Sequence, residues 1–331
     1  MGLIFFVAIK YNCFGDIMKK YVLSRFIQLV PILIGITFLT FGMMQFAADD
    51  AVDVIYEQAG SVSEEVKAAK RAELGLDKPF LVQYANWLKG VATGDMGRSF
   101  IRGKLVFETF ADKLPATIEL MTVSIILTIF IATPLGIIAA VKQSTLTDYI
   151  IRTLSFIGNS LPNFFVGLLL IYFLALKLNL LPIMGNPDSW QSVIMPALTL
   201  TIAMGAKYTR QIRAVVLEEL AKPYVTGARS RGIKEYTILT KSVLKSTLIM
   251  IITLLALSMG SLLGGTAIVE TIFMWDGVGK MAIDAILTKD YPLIQAYVVW
   301  MAIIYVMMNL AADLLYYYLD PRIRYSEGGD S

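Results

Sequence analysis

The chain has 331 residues, 56% of them hydrophobic, with a mean hydropathy of +0.66. That share exceeds the roughly 45–50% of soluble domains, which excludes a soluble globular particle of this size and makes lipid its solvent. A net charge of +3, from 29 basic and 26 acidic residues, is too small to point to nucleic acid. The chain has no histidine and one cysteine, Cys13, which removes the usual general base, a disulfide framework and a Cys/His metal cage.

In chain order, Gly2–Ile9 is apolar but too short to span a membrane, and no small-residue cleavage site follows it. Phe6 occupies the Ser/Thr position of a myristoylation signal, and Met18-Lys19-Lys20 reads as a more natural beginning. Residues 1–17 are therefore expected to be a dispensable extension, with 18–331 forming one transmembrane domain.

Charge-free apolar runs predict spans near 22–46, 114–141, 150–176, 189–215, 246–270 and 291–315. The expected fold is an all-α polytopic membrane protein of about six transmembrane helices with a further helix in a cytoplasmic loop. The segment 47–113 is expected outside, with the helix-friendly stretch Val62–Leu74 forming a small cap. Pro134 and Pro162 lie well inside their runs, where neighbouring helices must satisfy the freed carbonyls.

Polar residues within spans carry a functional default because they are costly there. On the third span Asn159 and Asn163 flank Pro162 one turn apart, making these three residues candidates for lining a polar path through the bundle, with inter-helix hydrogen bonding as the alternative. Glu119 and Glu270, at span ends, are expected to anchor to the interface, and Asp313 to pair with an inner-face arginine. The rows Ala132, Gly136, Ala140 and Gly260, Gly264 read as close helix packing. The sixteen methionines read as flexible packing, and no metal site is expected.

The loop 216–245 is the most informative segment. Between Lys207 and Thr247 there are nine basic residues and three acids, a net of +6, which places it in the cytoplasm by the positive-inside rule. An even number of spans then puts both termini inside. Leu217, Leu220, Ala221, Tyr224, Val225 and Ala228 repeat with a helical period, Pro223 marks a helix start and Gly232 its stop, and Arg229, Arg231 and Lys234 lie opposite. Periodicity alone leaves two readings open, a helix on lipid headgroups or a helix docked into another protein.

The stretch Tyr224 to Gly232, followed by Val243-Leu244-Lys245, resembles the coupling loop of binding-protein-dependent ABC importer permeases of the dipeptide, oligopeptide and nickel branch. Leu74 to Pro79, Gln83-Tyr84, Trp87-Leu88 and Gly94 to Gly97 resemble that branch's external segment; Leu114 to Thr117 opens the second span as it does there. Phe273 to Gly279 with Asp290-Tyr291-Pro292 resembles its last external loop, and Leu319 to Arg324 its C-terminal signature. The chain departs from the pattern at Asp276, where a proline is usual, and near Met250, where a proline is absent.

The resemblance implies a multi-pass subunit of the bacterial cytoplasmic membrane, in contact with lipid and working with a sibling permease, two cytoplasmic ABC ATPase subunits and an external solute-binding protein. ATP and Mg²⁺ would be bound by those ATPases, with no cofactor and no catalytic residue in this chain. Gly227 and Gly232 have P-loop spacing, but Ile233 intervenes before Lys234 and no Walker A forms. ATPase contact would fall to Pro223, Tyr224, Val225, Ala228, Arg229, Arg231 and Gly232, with the apolar face seated in a groove of the ATPase. The short loop Leu181 to Trp190 resembles nickel and dipeptide members, making nickel or a metal chelate the first expectation and a di- or oligopeptide the second. A channel needing no ATPase, or an intramembrane enzyme, is disfavoured by the docking-type loop and by the lack of a nucleophile–base pair.

Overall fold

A computed structural model describes the backbone of residues 2–45, 51–57, 62–185 and 189–319, with side chains described for these except 2–21, 45, 51, 57, 249–250, 253–261, 263–265 and 315–319. The chain divides into two compact units, residues 1–110 with 284–310 and residues 111–283 with 311–331.

In the first unit, α1 (Gly2–Gln45) leads to α2 (Ala51–Glu57), α3 (Glu64–Leu74) and α4 (Phe80–Ala92). The apolar run of α1 gives one face to α4. Tyr84 donates a hydrogen bond to the Ile34 carbonyl at 3.2 Å and lies 3.0 Å from Thr37 Oγ1, so its polar tip is satisfied where its ring is buried. Phe38 and Phe41 meet the Phe80 and Tyr84 rings edge-on at 5.4 to 5.6 Å. Asp53 joins α2 to α3 through Arg71 at 3.0 Å and Lys67 at 3.3 Å. Gly75 ends α3 at φ +71°, a left-handed stop that favours glycine. Asp290 accepts hydrogen bonds from Ser99 Oγ and, at 3.0 Å, from the Phe100 amide.

The second unit takes most of α5 (Val106–Val141), then α6 (Leu146–Ser160) and α7 (Asn163–Leu170), which a π-helical turn extends over Ile171–Lys177. After a 3₁₀ turn, Trp190–Val193, come α8 (Ile194–Leu220), α9 (Pro223–Ser230) and α10 (Glu235–Ile238). A second π turn, Leu239–Val243, leads into α11 (Leu244–Ile272) and the start of α12 (Val278–Leu287), while most of α13 (Tyr291–Leu319) belongs to the first unit.

One buried cluster joins Ala132 and Ala140 of α5 to Tyr208, Ile212 and Val216 of α8 and to Val225, Ala228, Ile238, Val243 and Ile251. A second joins Leu120 to Met195, Leu200, Val269, Phe273 and Trp275. The row of small residues on α5 is a packing seam. A Cβ on Gly136 would lie 2.7 Å from Ile212 Cγ2 and 2.9 Å from the Thr209 carbonyl, so glycine sets the spacing of α5 and α8.

Among the described residues three helices are long and apolar enough to cross a membrane, Val22–Met44, Val106–Val141 and Tyr291–Leu314. They coincide with the first, second and last expected spans. The third span is corrected: it is not one helix but two, bent by 104° between Ser160 and Asn163, and it counts as a fourth only if the pair is one span. Leu161 and Pro162 cause the break. Proline disfavours helix at the residue before it, and Leu161 accordingly sits extended at φ −80°, ψ 132°. The fourth and fifth expected spans correspond to α8 and α11; α8 is long enough but too polar to count with those three, carrying Lys207, Arg210, Arg213, Glu218 and Glu219, and much of α11 lies outside the described side chains.

Candidate functional site

Three places in the second unit and one in the first hold the residues singled out by the sequence. In the coupling segment, α8 ends at Leu220, and Lys222, extended at ψ 147°, turns the chain into α9 with Pro223 in its first turn. Proline lacks an amide hydrogen there at no cost, since the first amides of a helix have no intrahelical acceptor. Gly232 closes the segment at φ +75°, its amide donating to the Arg229 carbonyl at 2.9 Å.

The side chains correct one expectation. Val225 and Ala228 do not face outward for a partner: they are buried in this chain's own core against α8 and Ile238, at 0% and 9% exposure. The outward face carries Tyr224, Arg229, Arg231, Ile233 and Tyr236, the last 77% exposed. Arg229 pairs with Glu235 at 3.0 Å and Arg231 donates to the Gly227 carbonyl at 3.2 Å, so both guanidiniums are held on this face.

Glu219, not singled out by sequence, organises the entry to α9. It is buried and accepts hydrogen bonds from Lys222 and, at 2.9 Å, from the Tyr224 hydroxyl. Burial works against its ionisation, but the bonds from Lys222 and Tyr224 outweigh this and hold the carboxyl below its usual range. Burial and the bond to Glu219 together push the Tyr224 hydroxyl up. The readable signal was an acid three residues before Lys222 and five before Tyr224.

A second assembly centres on Glu270. Expected as an interface anchor, it is instead fully buried. It accepts from Thr117 Oγ1 at 2.8 Å and from the Lys280 amide at 2.9 Å, while the Val278 amide donates to Thr117 at 2.9 Å. A Cβ on Gly277 or Gly279 would come within 2.5 and 2.9 Å of Glu270 Oε2, so these glycines let the loop close over the carboxyl. Trp275 Nε1 donates to the Ala116 carbonyl at 2.8 Å, and Asp276 forms an ion pair with Lys113. The departure at Asp276 thus has a structural partner. Glu119 is exposed, and Asp313 is half-buried.

The third place is the elbow between α6 and α7. Asn159 and Pro162 are exposed and Asn163 is half-buried, with Pro162 preceding the first turn of α7 and accepting from the Phe165 amide at 3.0 Å. The structure brings these three residues to one bend and not onto one straight face. Gly260 and Gly264 lie outside the described side chains.

In the first unit a cleft of about 420 Å³ gathers residues from several of the stretches that carry the family resemblance, among them Leu76, Gln83, Trp87, Met96 and Tyr291. Trp87 Nε1 and Gln295 Nε2 are buried there with no protein acceptor.

Residues 132–325 match the family described as "Binding-protein-dependent transport system inner membrane component", and residues 18–121 match the N-terminal region of such membrane components. The chain belongs to this family.

As a permease of this kind it is a multi-pass inner-membrane subunit of an ABC importer. It is a transporter component and not an enzyme, of a class that works with ATPase and substrate-binding proteins. It is 37% identical to the oligopeptide transport system permease protein AppB of Bacillus subtilis, over 93% of this chain and 100% of that one. It is 34% identical to the dipeptide transport system permease protein DppB of Alkalihalophilus pseudofirmus, again over 93% and 100%. The metal-staphylopine import system permease protein CntB of Staphylococcus aureus is 32% identical over 93% of this chain and 99% of its own. A solved structure of the MetNI methionine ABC transporter in an inward-facing form is 15% identical, with a TM-score of 0.54 over 65% of this chain and 97% of that one, a likeness of fold. The matched segment 132–325 contains α9, the elbow and Glu270.

Proposed function

We propose that this permease forms, with a sibling permease, the translocation path of an importer for short peptides. The similarity along the whole length of an oligopeptide and a dipeptide permease supports this reading over the nickel expectation. A metal bound within a peptide-like chelate is the second reading, favoured by the likeness to a metal-staphylopine permease. A path without histidine suits either solute carried whole better than a bare soft cation handed between side-chain ligands.

In this reading the solute arrives on an external binding protein. Two cytoplasmic ATPase subunits bind ATP and Mg²⁺, both termini of the permease lie in the cytoplasm, and α9 receives the stroke. α9 connects the cytoplasmic ends of α8 and α11, and Val225 and Ala228 rivet it to the α8 core. A displacement of α9 must therefore carry these helices with it, because a close-packed core transmits strain rather than absorbing it. The elbow at Asn159, Pro162 and Asn163 is the path candidate, since irregular backbone at membrane depth is tolerated where it lines a cavity or is covered by protein.

The test is competition uptake in cells with and without this chain, using labelled dipeptide, a longer peptide, free Ni²⁺ and a nickel–amino acid chelate. Chain-dependent uptake displaced by peptides and indifferent to free Ni²⁺ is expected. Uptake of free Ni²⁺ that peptides fail to displace would overturn the peptide reading. Uptake that persists without any ATPase subunit would overturn the importer mechanism.

A further inference from the structure

A pocket of about 440 Å³ between α6 and α8 has no part in the coupling or in the path described above. It is lined by Tyr149, Arg152, Thr153 and Phe156 of α6 and by Arg210 and Arg213 of α8. On α6 these positions are spaced by three or four residues and share one face; on α8 they are one turn apart. We propose that this pocket binds the phosphate of an anionic phospholipid.

Charge comes first. Asp148 is buried and accepts from Arg213 Nε at 2.7 Å, from Arg213 Nη2 at 2.8 Å and from the Ser144 amide at 3.0 Å. Arg213 takes both of the Asp148 oxygens, and Arg152 feels the same carboxylate only through space, with no hydrogen bond to it. Three guanidinium groups at one cavity thus share a single carboxylate among the described residues, which leaves an excess of positive charge there. Planar guanidinium groups match phosphate oxygens bidentately, which makes a phosphate the fitting anion.

Apolar surface then separates a lipid from a free ion. Tyr149, Leu154, Phe156 and Ile157 are 48% to 66% exposed on the same helix, as an acyl chain would require. Arg152 lies 5.8 Å from the Tyr149 ring centroid, which holds its guanidinium at the pocket. Phe156 follows Arg152 by one turn, about 6 Å along the axis, roughly the step from headgroup phosphate to the first methylenes. The positive-inside reading puts this end of α6 at the cytoplasmic headgroup level, where basic pockets between helices meet anionic lipid.

The experiment uses the assembled importer, purified in mild detergent. Retained phosphatidylglycerol is measured by native mass spectrometry, and thermal midpoints are taken with added phosphatidylglycerol, phosphatidylcholine or inorganic phosphate. Phosphatidylglycerol should be retained and should raise the midpoint while phosphatidylcholine does not, and each of Arg152→Gln and Arg210→Gln should weaken retention about fivefold. If either variant fails to assemble, the other variant and the loss of wild-type retention with rising salt serve in its place. Equal stabilisation by both lipids, unchanged retention in the variants, or full reproduction of the effect by inorganic phosphate would overturn the proposal. So would absence of the lipid from the assembled complex.

Discussion

Thr117, near the start of the second apolar run, donates a 2.8 Å hydrogen bond to Glu270, 153 residues later at the end of α11, and receives the Val278 amide on the same hydroxyl. One hydroxyl thus ties the Leu114 to Thr117 stretch to the Phe273 to Gly279 loop. Thr117→Val keeps the shape but removes both bonds, leaving a buried carboxyl and an amide short of a partner. The expected loss is about 1–3 kcal/mol of stability. Unfolding of the purified permease in detergent measures it, and an unchanged midpoint would show that the loop is held without Thr117, by Trp275, Lys113 and the Lys280 amide on Glu270.

Two glycines in the packed region should respond in opposite ways. Gly136→Ala brings a methyl within 2.9 Å of the backbone carbonyl of Thr209, which a rotamer change cannot relieve, and should destabilise by about 1–3 kcal/mol. Gly205→Ala on α8 meets nothing within 4 Å and should be neutral or slightly stabilising, because alanine is the better helix former. Similar midpoints for the two variants would refute the idea that Gly136 sets the helix spacing.

The two faces of α9 separate folding from coupling. Ala228→Asp places a charge in the core beside Val216 and Ile238 and should lower the amount of folded protein in the membrane. Arg231→Glu and Tyr236→Ala change only exposed groups, so insertion should be normal while association with the ATPase weakens about tenfold or more. Pull-down of the ATPase with parallel quantification of folded permease distinguishes these outcomes. Normal folding of Ala228→Asp with selective loss of ATPase binding would return docking to the buried face.

Acid should loosen the entry to α9. The Glu219 carboxyl titrates below its ordinary value of 4.5, so its stabilising contribution is fully present above that pH and is lost as the pH falls through the folded-state value. Glu219→Gln should therefore be less stable than the parent at neutral pH, and the gap should close in acid. Thermal midpoints of the pair between neutral pH and about pH 3, below the usual range of a glutamate, provide the measurement. A gap that stays constant would mean that the loss comes from packing and not from charge.

Much of this was legible because some constraints are local. Pro223 and Gly232 bracket α9 as their backbone preferences demand, and the spacing of Ala132, Gly136 and Ala140 announced a close seam. The inward face of α9 was not legible, since a periodic apolar stripe says that a helix is covered but not by what. A groove in an ATPase and the chain's own α8 present the same chemistry to Val225 and Ala228. Glu270 was misread for a related reason: its position at the end of a run is visible, but its partners are Thr117, far earlier in the chain, and backbone amides that carry no sequence signature. Pro162 was noticed, but a proline inside an apolar run fits both a mild kink and a full break, and local sequence does not choose between them.

The double duty of α9 limits how this helix can be transplanted. Moving residues 223–230 alone into another permease would carry the exposed half of the helix but leave Val225 and Ala228 facing a host surface shaped for other side chains. The transferable piece must also bring Ile212 and Val216 from the preceding helix and Ile238 from the following turn. A chimera cut on either side of that group should express and accept an ATPase chosen by the donor, whereas one cut through it should fail at folding, before partner choice arises.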